Sequence, residues 1–112
     1  MADDRFTMTI TERDGLTLVE LTGELDLASS PELGSALEGL SGDDRRVVLD
    51  LRGLSFMDST GLALILRYHQ RAKDERFDLI VVRGPEPVDR VFRVTQTDTL
   101  LEMIDVPPAA TA

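Results

Sequence analysis

The sequence predicts an α/β fold: a small mixed β-sheet that begins with an N-terminal hairpin, continues with parallel strands and is packed with helices. Residues 5–22 contain two β-type segments around Asp14-Gly15, a dipeptide typical of hairpin turns. Two nearly continuous apolar segments, 47–51 and 77–82, are typical of strands buried on both faces. Segments with helical periodicity lie between the strands, and strands joined by a helical crossover are expected to run parallel.

Length and composition favour one domain spanning residues 1–112, with a core at about 5–105 and a flexible tail at 106–112. The chain of 112 residues is long enough for one core, and its 42% hydrophobic and 29% charged residues are typical of a globular protein. It has no cysteine, which excludes disulfide and thiolate chemistry, and a single histidine, His69, cannot by itself build a zinc site. We therefore expect no metal and no cofactor.

The charge balance excludes some partners. A net charge of -9, from 21 acidic and 12 basic residues, would repel a phosphate backbone, so we expect no direct contact with nucleic acid. Residues 1–5 lack the apolar segment of a signal peptide, and the longest apolar run, 62–66, is far below the ~20 residues that cross a membrane. The sequence therefore predicts a soluble, cytoplasmic protein without a membrane contact.

The first two strands are predicted from residue alternation. Phe6, Met8 and Ile10 alternate with threonines across residues 5–11, the pattern of a half-buried edge strand. The second strand is expected over 16–22, with Gly23 as its end.

The first helix has a clear start signal. Ser29 and Ser30 are both N-cap candidates, Pro31 suits the first turn, and Glu32 is placed to complete a capping box with Ser29. The helix is predicted from apolar residues at helical spacing and from the stop signals that follow them: Leu33, Ala36, Leu37 and Leu40, then Gly39, Ser41 and Gly42.

The second helix is predicted over residues 59–74, with Asp58 or Ser59 as its N-cap. Leu64 and Tyr68 fit its buried stripe poorly and are neighbours on the helix surface, so they form either loosely packed core or an exposed partner surface. Five residues make the predicted core face: Leu62, Ile65, Leu66, His69 and Ala72.

The last part of the chain has weaker patterns. Residues 88–92 predict a third helix, 100–104 a short helix or a last strand, and 107–112 a frayed end.

Three kinds of enzyme are excluded by spacing. An aspartic protease needs a second carboxylate loop, and a phosphate-binding loop needs a Gly-Lys-Ser/Thr sequence; neither is found. A serine hydrolase needs a base beside Ser59, whereas His69 lies ten residues along the same helix, about 15 Å away. Asp50 is interpreted as a hydrogen-bonded structural residue, because the acidic pair of a phosphoryl-accepting receiver is absent. We therefore expect no enzymatic activity.

Two motifs nevertheless carry a resemblance to a known family. The segment Phe56-Met57-Asp58-Ser59-Thr60-Gly61-Leu62 resembles the phosphorylation motif of the bacterial anti-sigma factor antagonists, which are single STAS domains. The segment Gly23-Glu24-Leu25-Asp26 is similar to their second signature, and the order of elements from Phe6 to Ile104 is similar throughout.

The resemblance implies a STAS-like fold and a partner-switching function in bacterial transcription regulation. The unphosphorylated protein would bind an anti-sigma factor that is itself a serine kinase, and so release a sigma factor. Phosphorylation of Ser59 would turn it off, and a serine phosphatase, a transient partner, would restore the active form. Carried over by position, the partner-binding residues would be Glu24, Asp26, Asp58, Ser59, Thr60 and Gly61; Leu64 and Tyr68 are added from the helix pattern.

Two departures from the family pattern bear on structure. Ala63 stands where many members have a second glycine, a mild change because alanine favours helix. Gln96 stands where glycine commonly follows threonine. A left-handed backbone conformation costs more free energy for glutamine than for glycine. The alternative function is a STAS binding or scaffold module of a transporter or signalling assembly, in which Ser59 is never phosphorylated and only caps the helix.

Overall fold

A computed structural model describes residues 5–40 and 45–108. The strands are β1 (Thr7–Arg13), β2 (Leu16–Leu25), β3 (Arg46–Met57), β4 (Asp78–Val82) and β5 (Glu102–Ile104). The helices are α1 (Ser30–Gly39), α2 (Ser59–Glu75) and α3 (Glu86–Thr95), followed by a short 3-10 helix at Thr97–Thr99. The sheet order is β1-β2-β3-β4-β5, with β1 antiparallel to β2 and the other neighbours parallel. The predicted mixed α/β fold is confirmed.

The N-terminal hairpin turns at Asp14 and Gly15, as predicted. Both residues have left-handed backbone angles, with φ of 50° and 81°, the combination that joins two twisted strands through two residues. β1 lies at the sheet edge as expected, but it is less buried than predicted, since Ile10 is 40% exposed. Of the described residues that precede the Asp14-Gly15 turn, Phe6 and Met8 are the ones that pack against the main core.

β2 continues past the residue predicted to end it. Gly23 has a φ of 90°, and the register against β3 shifts between Glu20 and Thr22 and again between Gly23 and Glu24. Such shifts are β-bulges, at which a strand bends without ending. Glycine tolerates the positive φ, so the strand reaches Leu25 and the prediction of an end at Gly23 was wrong.

The main core lies on one face of the sheet, under the three helices. Residues 47–51 of β3 are buried, as predicted for a central strand, and β3 then extends to Met57. The cluster on this face draws its helical members from all three helices. A smaller cluster of Val48, Ile80 and Val82 lies on the opposite face, and its described members all come from strands or their ends.

The buried face of α2 differs from the prediction at three positions. Leu62, Ile65 and Ala72 are buried as expected, but Tyr68 is buried as well, whereas Leu66 and His69 are only partly buried. The stripe follows the side of α2 that meets both β3 and α1, so it is wider than a stripe that faces a single element.

The ends of the other helices and strands differ from the predictions in several details. Ser29 is the N-cap of α1, but the capping box is wrong, because the Ser29 hydroxyl donates to the Glu24 carbonyl at 2.8 Å and makes no cap bond. α1 ends at Gly39, while the predicted stop residues Ser41 and Gly42 lie outside the described residues. Residues 100–104 were predicted to form either a short helix or a last strand, and the structure has a strand there, β5. Of the predicted frayed end, 107–112, only residues 107–108 are described.

Gly61 lets α2 approach the ends of β2 and β3. A Cβ atom on Gly61 would lie 2.9 Å from Leu25 Cγ and 2.9 Å from Met57 Cγ, closer than real side chains pack. Both neighbours are buried core residues, so neither can swing into solvent. The first turn of α2 is therefore held against two strand ends by the absence of a side chain.

We predict that Gly61→Ala destabilises the protein by about 1–3 kcal/mol, because overpacking outweighs the better helix propensity of alanine. The matched control is Gly34→Ala in α1, where an added Cβ would make an ordinary 3.5 Å contact with Leu64 Cδ1. The control should gain up to about 1 kcal/mol. Urea unfolding followed by circular dichroism measures both, and equal effects of the two substitutions would contradict the close-approach argument.

Gln96 adopts the left-handed conformation expected from its position, with φ 60° and ψ 19° at the C-cap of α3. We predict that Gln96→Gly raises the free energy of unfolding by about 1 kcal/mol, because glycine has no Cβ to clash there. The matched control is Gln70→Gly, inside α2, which should lower it by about 1 kcal/mol. If the Gln96→Gly variant is less stable than wild type in thermal unfolding, the left-handed conformation of Gln96 is not strained and the prediction is wrong.

Candidate functional site

The two motif segments lie side by side where β2 and β3 end. Glu24 pairs with Phe56 and Leu25 pairs with Met57 in the parallel ladder. The Asp58 N–H then donates to the Leu25 carbonyl at 3.2 Å, which extends the pairing into the loop. Since parallel strands end at the same edge of a sheet, the loops before α1 and α2 share one surface.

Asp58, rather than Ser59, is the N-cap of α2. Its backbone is extended, and its Oδ1 accepts hydrogen bonds from the Thr60 N–H at 2.9 Å and the Gly61 N–H at 3.1 Å. A carboxylate at this position also interacts favourably with the positive end of the helix dipole. The cap therefore occupies two N–H groups that the sequence alone left available to an anion.

Ser59 is the first residue of α2 and is exposed, while Thr60 is half-buried and Gly61 is buried. No hydrogen bond of the Ser59 hydroxyl is found within residues 5–40 and 45–108. The side chain of Ser59 is thus held at a fixed point by a capped helix but takes no part in the cap. A macromolecule can reach this hydroxyl without any change in the fold.

Asp26 shapes the neighbouring loop. Its Oδ1 accepts from the Ala28 and Ser29 N–H groups, both at 3.0 Å, and from the Ser29 hydroxyl at 3.1 Å. The hydrogen bonds from the backbone and hydroxyl of Ser29 hold the pKa of Asp26 below its ordinary value. Asp26 therefore stays charged, and together with half-buried Glu24 and Asp58 it makes this surface acidic.

Leu64 and Tyr68 do not form the exposed patch that was one of their two alternatives. Tyr68 is 5% exposed, and its ring packs against Phe77 with centroids 5.4 Å apart. The Arg71 guanidinium lies 5.9 Å from the centroid of the same ring. Leu64 is half-buried and packs against the core, so only part of this side chain is open to a partner.

The exposure of two apolar residues was missed: Leu27, which follows the first motif segment, and Phe56, which begins the second. Leu27 is 74% exposed next to Asp26, and Phe56 is 44% exposed two residues before Asp58. A signal for Phe56 was available, because strand residues alternate in direction and both Leu25 and Met57 face the core. Leu27 had no such signal, since it lies in a loop whose path depends on Asp26.

Asp50, another residue considered from the sequence, is held by hydrogen bonds within the fold. Asp50 is 4% exposed and accepts from the Arg52 backbone N–H at 3.0 Å and from its Nη2 at 2.9 Å, as expected of a hydrogen-bonded structural residue. Within the described part of the chain, no three His, Cys, Asp or Glu side chains are grouped as a metal would need. None of the described helices is long and apolar enough to cross a membrane.

Comparison with known proteins agrees with this geometry. The family model for the STAS domain matches residues 7–108. The anti-sigma-B factor antagonist of Staphylococcus aureus is 29% identical over 94 residues, which cover 83% of this chain and 87% of that protein. The anti-sigma-F factor antagonist RsfB of Mycobacterium tuberculosis is 26% identical over 105 residues, covering 86% of each.

A solved structure extends the likeness to three dimensions. The crystal structure of an anti-sigma factor antagonist from Mycobacterium paratuberculosis superposes with a TM-score of 0.82 at 25% identity, covering 94% of this chain and 90% of that one. The family model includes both motif segments and every strand and helix described above. The chain therefore belongs to the STAS domain family.

Proposed function

We propose that this protein is an anti-sigma factor antagonist that acts in the cytoplasm by binding, not by catalysis. Its unphosphorylated form binds an anti-sigma factor that is itself a serine kinase, and the bound sigma factor is released. Transfer of a phosphoryl group to the Ser59 hydroxyl ends the interaction, and a serine phosphatase restores it. The observation that carries the proposal is the exposed hydroxyl of Ser59 beside the Asp58 cap.

The division of roles between these two residues supports a switch. Asp58 makes the cap bonds, so modification of Ser59 removes no hydrogen bond that starts α2. A phosphoryl group on the first residue of a helix also lies at the positive end of the dipole. The domain can therefore carry the modification without unfolding.

The surface around Ser59 has the composition of a protein interface. Exposed Leu27 and Phe56 and half-buried Leu64 provide apolar contact area, while Glu24, Asp26 and Asp58 provide negative charge. A partner with a basic rim and apolar pockets would match both features. Thr60 and Gly61 act from beneath this surface, through the first turn of α2.

Phosphorylation would weaken such an interface by charge. A phosphoserine carries about -1.5 to -2 charge at neutral pH, and here it would lie next to Asp58 in the chain. Burying that dianion in an interface shaped for a neutral hydroxyl costs several kcal/mol, which corresponds to about 10²-fold or more in affinity.

We predict that incubation with the cognate kinase and ATP adds one phosphoryl group to the wild-type chain and none to Ser59→Ala. Ser59→Ala should keep binding the kinase in the presence of ATP, whereas Ser59→Asp should bind about 10²-fold more weakly. Intact mass and calorimetric titration measure the two effects. Thr60→Ala is the control, since Thr60 is half-buried whereas Ser59 is exposed, and it should still be phosphorylated.

The same samples separate a surface switch from refolding. The phosphorylated chain should melt within a few degrees of the unmodified chain, because the cap is intact. If no candidate kinase adds mass and Ser59→Ala responds to ATP as wild type does, the protein is a STAS scaffold module and the proposed switch is wrong.

We also predict that Leu27→Ala weakens kinase binding by about 1–2 kcal/mol, as loss of an apolar anchor does. Leu100→Ala is the matched control, because Leu100 is 61% exposed but follows the 3-10 helix after α3. Leu100→Ala should change affinity by less than about 0.5 kcal/mol. Equal affinities of the two variants in surface plasmon resonance would place the docking surface elsewhere.

A further inference from the structure

A groove of about 410 Å³ lies between α1 and α2. Its size is in the range of small-molecule sites, which run from about 300 to 1,000 Å³. Leu27, Pro31, Leu37 and Leu64 supply apolar walls. The groove therefore has the volume and the lining for a compact ligand with an apolar body.

Two residues that line this groove carry buried hydroxyls without a partner. Ser30 is 7% exposed and Tyr68 is 5% exposed, and neither Ser30 Oγ nor Tyr68 Oη has a hydrogen-bond partner in the described chain. Buried polar atoms are nearly always paired, because an unpaired one loses its water without compensation. That both unpaired atoms belong to one groove indicates a site for a polar group.

The described lining of the groove has more charged donors than charged acceptors. Burial raises the pKa of Tyr68 above its ordinary value, so its phenol stays protonated and can donate. Arg67 lies exposed at the rim, and Arg71 is fixed by bonds from Nε to Glu75 at 2.7 Å and from Nη1 to the Leu37 carbonyl at 3.2 Å. Among the described lining residues, two guanidinium groups thus accompany one carboxylate, that of Glu38, in a chain whose net charge is -9.

We propose that the groove between α1 and α2 binds a small carboxylic acid with an apolar body, whose carboxylate accepts hydrogen bonds from the Tyr68 and Ser30 hydroxyls. Its apolar part lies along Leu27, Pro31 and Leu64, and Arg67 supplies the charge at the rim. Both hydroxyl oxygens are shielded from solvent, so entry requires a wall side chain to rotate. Leu27 and Leu64 keep some exposure and are able to do so. The site does not depend on phosphorylation of Ser59.

The test is a titration of the full chain with octanoate below its micellar concentration, followed by amide NMR. Saturable shifts should concentrate on the groove, at residues such as Gly34, Ser35 and Leu64. Octanamide, which has the same apolar body without the charge, should bind about tenfold more weakly. Tyr68 is the only tyrosine and the chain has no tryptophan, so tyrosine fluorescence reports directly on the site and should change with the same midpoint.

Variants make the result decisive. Tyr68→Phe keeps the ring contact with Phe77 and removes only the unpaired hydroxyl, so the variant should fold and bind octanoate about tenfold more weakly. Arg67→Gln should also weaken binding, while Arg90→Gln on the exposed side of α3 should not.

Three results would overturn the proposal: no saturable shifts in the groove, equal affinity of wild type and Tyr68→Phe, or equal affinity for octanoate and octanamide. Shifts of these amides with the protein partner but not with octanoate would make the groove part of a protein interface, which also overturns it.

Discussion

The close approach of α2 to the ends of β2 and β3 is the contact on which the functional surface depends. Gly61 permits it, because any Cβ there would meet Leu25 and Met57 within 2.9 Å. The Asp58 N–H bond to the Leu25 carbonyl adds a directional link at the same place. Together they fix the position of Ser59 relative to the neighbouring loop, so one surface contains residues from two motifs that are more than thirty positions apart.

In the proposed function, this arrangement separates stability from regulation. Asp58 satisfies the first turn of α2, and Asp26 satisfies the turn before α1, each through backbone N–H groups. Ser59 is left exposed at the start of a helix that it does not hold in place. A charge added at Ser59 therefore acts mainly on whatever docks there, and the repulsion from Asp58 is present from the moment of modification.

Most of the fold could be predicted from local sequence patterns. The wrong predictions concern features that are set by contacts between residues far apart in the sequence. The Asp14-Gly15 turn and the central strand over 47–51 follow from local sequence, while the left-handed conformation of Gln96 was expected from the family resemblance. The end of β2 did not follow from local sequence, because β2 continues past Gly23 through its pairing with β3, which lies more than twenty residues further along the chain. The burial of Tyr68 likewise depends on Phe77 and on packing between α1 and α2, which helical periodicity does not describe.

By itself, the sequence determined the order of elements, the parallel course of the later strands and the helix start at Asp58-Ser59, because each is set by residues within a few positions of one another. Only the tertiary structure decided which of those two residues caps the helix, which apolar side chains remain exposed beside it, and that Ser30 and Tyr68, whose hydroxyls are unpaired, line one groove. These features depend on how separate elements pack, and the distance of closest approach at Gly61 is set by side chains from two strands.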